Sequence, residues 1–136
     1  MVNGAPKHSS DPPSHVALVL FSAGKTLAAI EARHITGLAN IARLPRCANA
    51  ERLLLNTQLI SIAPTHWLTL QDADGAWQLG VSGEVVLAHT PIVELFPLPA
   101  LIAARHASPA LRGLALANQT VRLLFDGAAL KPDLTL

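Results

Sequence analysis

The stretch "HWLTLQDADGAWQLGVSG", residues 66–83, carries the strongest folding instruction in the chain. Leu68 and Leu70 alternate with Trp67 and Thr69 before the turn, and Trp77, Leu79 and Val81 alternate after it. In a strand, every second side chain lies on one face, so each arm has one apolar side to bury. Between the arms stands Asp72-Ala73-Asp74-Gly75. An Asp-Gly pair accepts the positive φ that tight hairpin turns require. The segment is therefore predicted to be a β-hairpin, and a hairpin this long needs further strands to cover its apolar face.

Those strands can be found on both sides. "HVALVLF" (15–21) and "TLAAI" (26–30) flank a Gly-containing turn, "SAGK". "SPALRGLALANQTVRLLFDG" (108–127) reads as two strands around Asn118-Gln119, with Leu114, Leu116, Val121 and Leu123 as its expected core residues. "EVVLAH" (84–89) forms another strand after a break at Gly83, and "QLISIA" (58–63) alternates like a strand closed by Pro64. Ala32, Ile35 and Leu38 are at helical spacing and predict a short helix within "EARHITGLANI" (31–41). A second helix is predicted over "ALIAARH" (100–106), started by Pro99. "RLPRCAN" (43–49) is expected to be irregular, and "ERLLL" (51–55) fits either a buried strand or a helical turn. "KPDLTL" is an apolar tail. Short strands with regularly recurring turns indicate a barrel or sandwich. The two halves also echo one another weakly: "LVLFSAGKTLAAIEARHI" and "LTLQDADGAWQLGVSGEVV" are each strand, turn, strand and then an apolar pair.

A chain of 136 residues suits one domain. Residues 1–14, rich in Gly, Pro and Ser, are expected to be a disordered tail, leaving 15–136 as that domain. Apolar residues make up 51% and charged ones only 14%, below the usual quarter. With so few charges to spread over its surface, the domain is expected to have some apolar area covered by another chain. A net charge of +1, no Tyr, two Trp and three Phe leave neither a basic footprint nor a stacking platform for nucleic acid. Cys47 is the only cysteine, so no internal disulfide can form, as expected in a reducing cytoplasm. The N-terminus lacks the apolar core of a signal peptide, and no apolar run reaches the roughly 20 residues of a membrane helix. A cytoplasmic protein without membrane insertion is the expectation.

No catalytic chemistry is legible. His34, His66, His89 and His106 stand apart from one another and from Cys47, with no HxxxH or CxxC spacing for a metal. Ser82 in "GVSGE" lacks the pattern of a nucleophile elbow, and phosphate-binding glycine loops are absent. Asp72 and Asp74 are placed to shape their turn. Arg43 and Arg46 closely precede Cys47 in sequence, yet no base stands beside it. The expectation is no enzyme, no cofactor and no metal.

From about His66 to Leu130, the chain resembles the CheW-like domain of bacterial chemosensory systems. "WQLGVSGEVVLA", the proline-punctuated "PIVELFPLPALIAARH" and above all "LRGLALANQTVRLLFDGAAL" carry the likeness. Arg112, Gly113, Leu123, Leu124, Asp126 and Leu130 are its main residues, while the first half matches more loosely. The resemblance implies a mostly β fold of two small SH3-like five-stranded β-barrel subdomains with a hydrophobic joint between them. It also implies a non-catalytic adaptor. Its expected partners are the regulatory domain of a CheA-like histidine kinase and a chemoreceptor-like protein, bound through barrel surfaces and the groove between subdomains. Arg112 and Gly113 are the expected protein-interaction residues. The family's middle segment carries an Arg-Gly pair that "LLLNTQLISIAPTHW" lacks, so the adaptor is expected to be a divergent one serving chemotaxis or a pilus-type pathway. Two alternatives stand beside it. One is a β-barrel that binds a small molecule or a metal. The other is a self-associating structural subunit, a homo-oligomer joined through its apolar edges and "LTL" end.

Overall fold

A computed structural model describes residues 14–55, 57, 59–98 and 108–132. Residues 1–13 of the expected tail, the helix over 100–106 and the end of the chain from 133 lie outside them. Strand β6 (Gly75–Pro91) organises the molecule, because its two halves belong to different groups of strands. Its first half pairs antiparallel with β5 (His66–Asp72) in the hairpin that the sequence predicts. Its second half pairs antiparallel with β1 (His15–Ala23), which continues into β2 (Thr26–Glu31). Gly83 does not break the strand. It sits at φ 71°, beside a register shift between Leu20 and Ser22 of β1, and lets β6 pass from one group to the other without interruption. Such bulges bend a strand and increase its twist. Ser82 is buried here, and its hydroxyl donates to the Ser22 and Gly24 carbonyls, so this serine holds the crossing together.

Among the described residues the remaining strands are β3 (Gly37–Ala39), β4 (Cys47–Asn49), β7 (Leu95–Pro97), β8 (Leu111–Ala117) and β9 (Thr120–Phe125), with one α-helix, α1 (Ala50–Leu55). The order across the sheet is β3-β5-β6-β1-β2-β9-β8-β7, and β4 lies parallel to β6. The β2–β9 pairing is also parallel and brings the last hairpin against the first. The three hairpin turns among the described residues take the conformations their residues suit: Gly24 is at φ 62°, Gly75 at 114°, and Asn118 and Gln119 at 51° and 63°. Both central residues of the last turn have positive φ, as a type I′ hairpin requires.

Strands β1 and β2 are apolar on both faces and so serve two cores. Val19, Phe21, Ala28 and Ile30 join Leu54, Leu68, Trp77, Leu79 and Phe125 in the larger one. Leu18, Leu20 and Ala29 face Ala115 and Ala117 in the smaller. This second core corrects the face assigned to β8. The alanines point inward where Leu18 and Leu20 leave room only for small side chains, while Leu114 and Leu116 are half-buried and Val121 is 60% exposed. Leu123 does pack against the larger core, as expected.

Three further readings are corrected. Residues 31–41 form a single 3-10 turn, Ala32–His34, followed by β3. Ile35 and Thr36 are β-branched, and the Thr36 N–H donates to the Thr69 carbonyl, so the sheet captures the segment before a second helical turn forms. Cys47–Asn49, expected to be irregular, forms β4 beside β6. "QLISIA" supplies no strand among its described residues. The Ser61 N–H and hydroxyl donate instead to the Glu51 carboxylate at 3.0 and 2.6 Å. That carboxylate lies at the start of α1, where the Asn49 side chain accepts the Glu51 N–H as a helix cap.

This clasp has a pH signature. The hydrogen bond from the Ser61 hydroxyl, aided by the Ser61 and Ile62 N–H groups, holds the Glu51 carboxyl below its usual value of 4.5 against the opposing effect of burial. Because the folded-state pKa is depressed, the stabilisation is complete above the usual carboxylate range and is lost as pH falls through the depressed folded value. Glu51→Gln is therefore expected to be less stable than wild type at pH 7, with the gap closing on acidification toward pH 3. Urea midpoints measured across that range test this; a gap that stays constant would refute the clasp.

Candidate protein-interaction surface

Arg112 stands at a bulge in β8, where the pairing with β9 slips between Leu111 and Gly113. The bulge leaves its side chain 53% exposed. Its guanidinium is nevertheless steered: Nη1 donates to the Pro109 carbonyl at 2.8 Å, and Nη2 lies 3.4 Å from Asp126 Oδ2. Asp126 is held in turn, because its Oδ1 accepts the Ala128 N–H and caps the 3-10 turn Gly127–Ala129. Gly113 is buried beside Arg112, and a Cβ at that position would overlap the Phe96 carbonyl oxygen of β7.

The parallel β2–β9 pairing brings a second ion pair to this place. Arg33 Nε donates to Glu31 Oε2 at 2.6 Å, and Glu31, Arg33 and His34 share a cleft of about 190 Å³ with Arg112, Leu124, Phe125 and Asp126. The Glu31 carboxylate raises the Arg33 pKa further above its already high value, first by hydrogen bonding and then by its charge. His34 lies against Gly127, with its Nδ1 buried and without a hydrogen-bond partner among the described residues. Two arginines balance two carboxylates here, and exposed pairs of this kind contribute little to stability. The arrangement orients side chains at a surface. Sequence reading picked out Arg112 but not Glu31, Arg33 or His34, since only a pairing between distant strands unites them.

A larger opening lies where β6 leaves β5 to follow β1. Val19, Ala32, Ile35, Gly37, Leu38, Leu68 and Val85–Leu87 line an open apolar groove of about 420 Å³. Leu38 and Leu87 remain 56% and 59% exposed. The resemblance implied a groove between subdomains but not its residues; Leu38 stood at helical spacing in the sequence, whereas β3 leaves it exposed.

The other candidate residues have structural partners or none. Arg46 grips Asp72 with both terminal nitrogens, at 2.9 and 2.6 Å, and this hydrogen-bonded charge is the first cause that lowers the Asp72 pKa. Asp72 also accepts the Asp74 N–H, so it shapes the turn as its position suggested. The buried Gln78 side chain accepts the Arg43 and Leu44 N–H groups, pinning the loop before β4. Cys47 is exposed at that strand. Among the described residues, no three of His, Cys, Asp and Glu are grouped to hold a metal ion. No helix there is long and apolar enough to cross a membrane.

No family model and no curated protein matches the chain. Its strand arrangement nevertheless defines a mostly β fold of the CheW type. One solved structure that shows this is the scaffolding protein TtCheW from Thermoanaerobacter tengcongensis. It matches with a TM-score of 0.60 at 10% identity, over 82% of this chain and 88% of that one. At this identity the likeness is one of fold.

Proposed function

We propose that this chain is a non-catalytic protein-interaction adaptor of a bacterial chemosensory pathway. Its partners are the regulatory domain of a CheA-like histidine kinase, a chemoreceptor-like protein, or both. The observation that carries the reading is the open apolar groove between the two strand groups of a CheW-type fold. Apolar surface of this kind favours a protein partner, and its lining residues Leu38 and Leu87 are exposed on a chain with few charges. The matching solved structure is itself a scaffolding protein. In this reading the strand groups on either side of Gly83 are the two subdomains of one domain, and Arg112, steered by Asp126, is a polar contact beside the buried Gly113.

The test is direct binding, by calorimetry and pull-down, against a CheA-type regulatory domain and a receptor cytoplasmic tip. Wild type is expected to bind at least one of them. Leu38→Glu/Leu87→Glu should weaken that binding by about tenfold or more, as loss of a central apolar contact does, while leaving the thermal transition nearly unchanged. Arg112→Ala is expected to weaken it less, as a rim charge does. If wild type binds neither partner, the adaptor reading fails; if the double variant binds like wild type, the groove is not the surface used.

A further inference from the structure

We draw no further inference here: the strongest candidate, the exposed apolar loop of Leu59, Ile60 and Ile62 that the Glu51 carboxylate anchors outside the sheet, carries nothing because nothing in the structure shows what covers it.

Discussion

Gly113→Ala is expected to destabilise the fold by about 3 kcal/mol, the upper end of what overpacking costs. The β7 backbone leaves no room for the added methyl group, since a Cβ at Gly113 would overlap the Phe96 carbonyl oxygen. A flexible side chain could rotate away, but this oxygen belongs to a strand that pairs Phe96 with Leu114 and Pro97 with Gly113. Relief therefore requires β7 to separate from β8, losing ladder hydrogen bonds with it. β7 is three residues long and stands at the end of the sheet order, so it has little else to hold it. Urea unfolding should show a lower midpoint, and amide exchange should quicken at Leu95 and Phe96. A loss under about 0.5 kcal/mol, the range of ordinary surface substitutions, would mean that β7 does not approach Gly113 as described. Arg112→Ala is the control: its side chain is half exposed, and removing it should cost far less.

What could be read from the sequence was local. Gly24, Gly75 and the Asn118-Gln119 pair each announce a turn, because their backbone preferences act without help from distant residues. The alternating arms of β5 and β6 likewise identify themselves. Reading failed where a distant partner decided the outcome. Residues 31–41 carry a helical pattern, but the Thr69 carbonyl takes the Thr36 N–H and the segment becomes an edge strand. Residues 58–63 carry a strand pattern, but the buried Glu51 carboxylate takes the backbone donors a ladder would have used. The face of β8 was misjudged because large residues were assumed to be inside, whereas a small core facing Leu18 and Leu20 selects Ala115 and Ala117. The candidate surface divides the same way. Arg112-Gly113 stands out as a dipeptide, while Glu31, Arg33, His34 and the whole groove exist only after the strands have paired.

Trp77→Ala should have the largest effect in the molecule, a loss of about 3–5 kcal/mol from removed apolar burial and the cavity left behind. Trp77 is fully buried and the largest such side chain, packed with Leu79, Val81 and Phe125. A domain of this size has only about 5–15 kcal/mol in total, so the variant should be close to unfolding at room temperature. Trp77→Phe separates two contributions. It keeps an aromatic ring in the core and removes an indole N–H that has no partner among the described residues, so its cost should be much smaller than that of alanine. Trp67, whose ring covers Gly80, remains in both variants as a fluorescent reporter. The manner of unfolding matters as much as its extent. Trp77 lies in the half of β6 paired with β5, while Ala88 and Thr90 lie in the half paired with β1. Because one unbroken strand serves both groups and the larger core draws on both, Trp77→Ala should shift a single transition, with fluorescence and circular dichroism coinciding. Two separated transitions would show that the bulge at Gly83 uncouples the strand groups; a cost below about 1 kcal/mol would remove Trp77 from the core altogether.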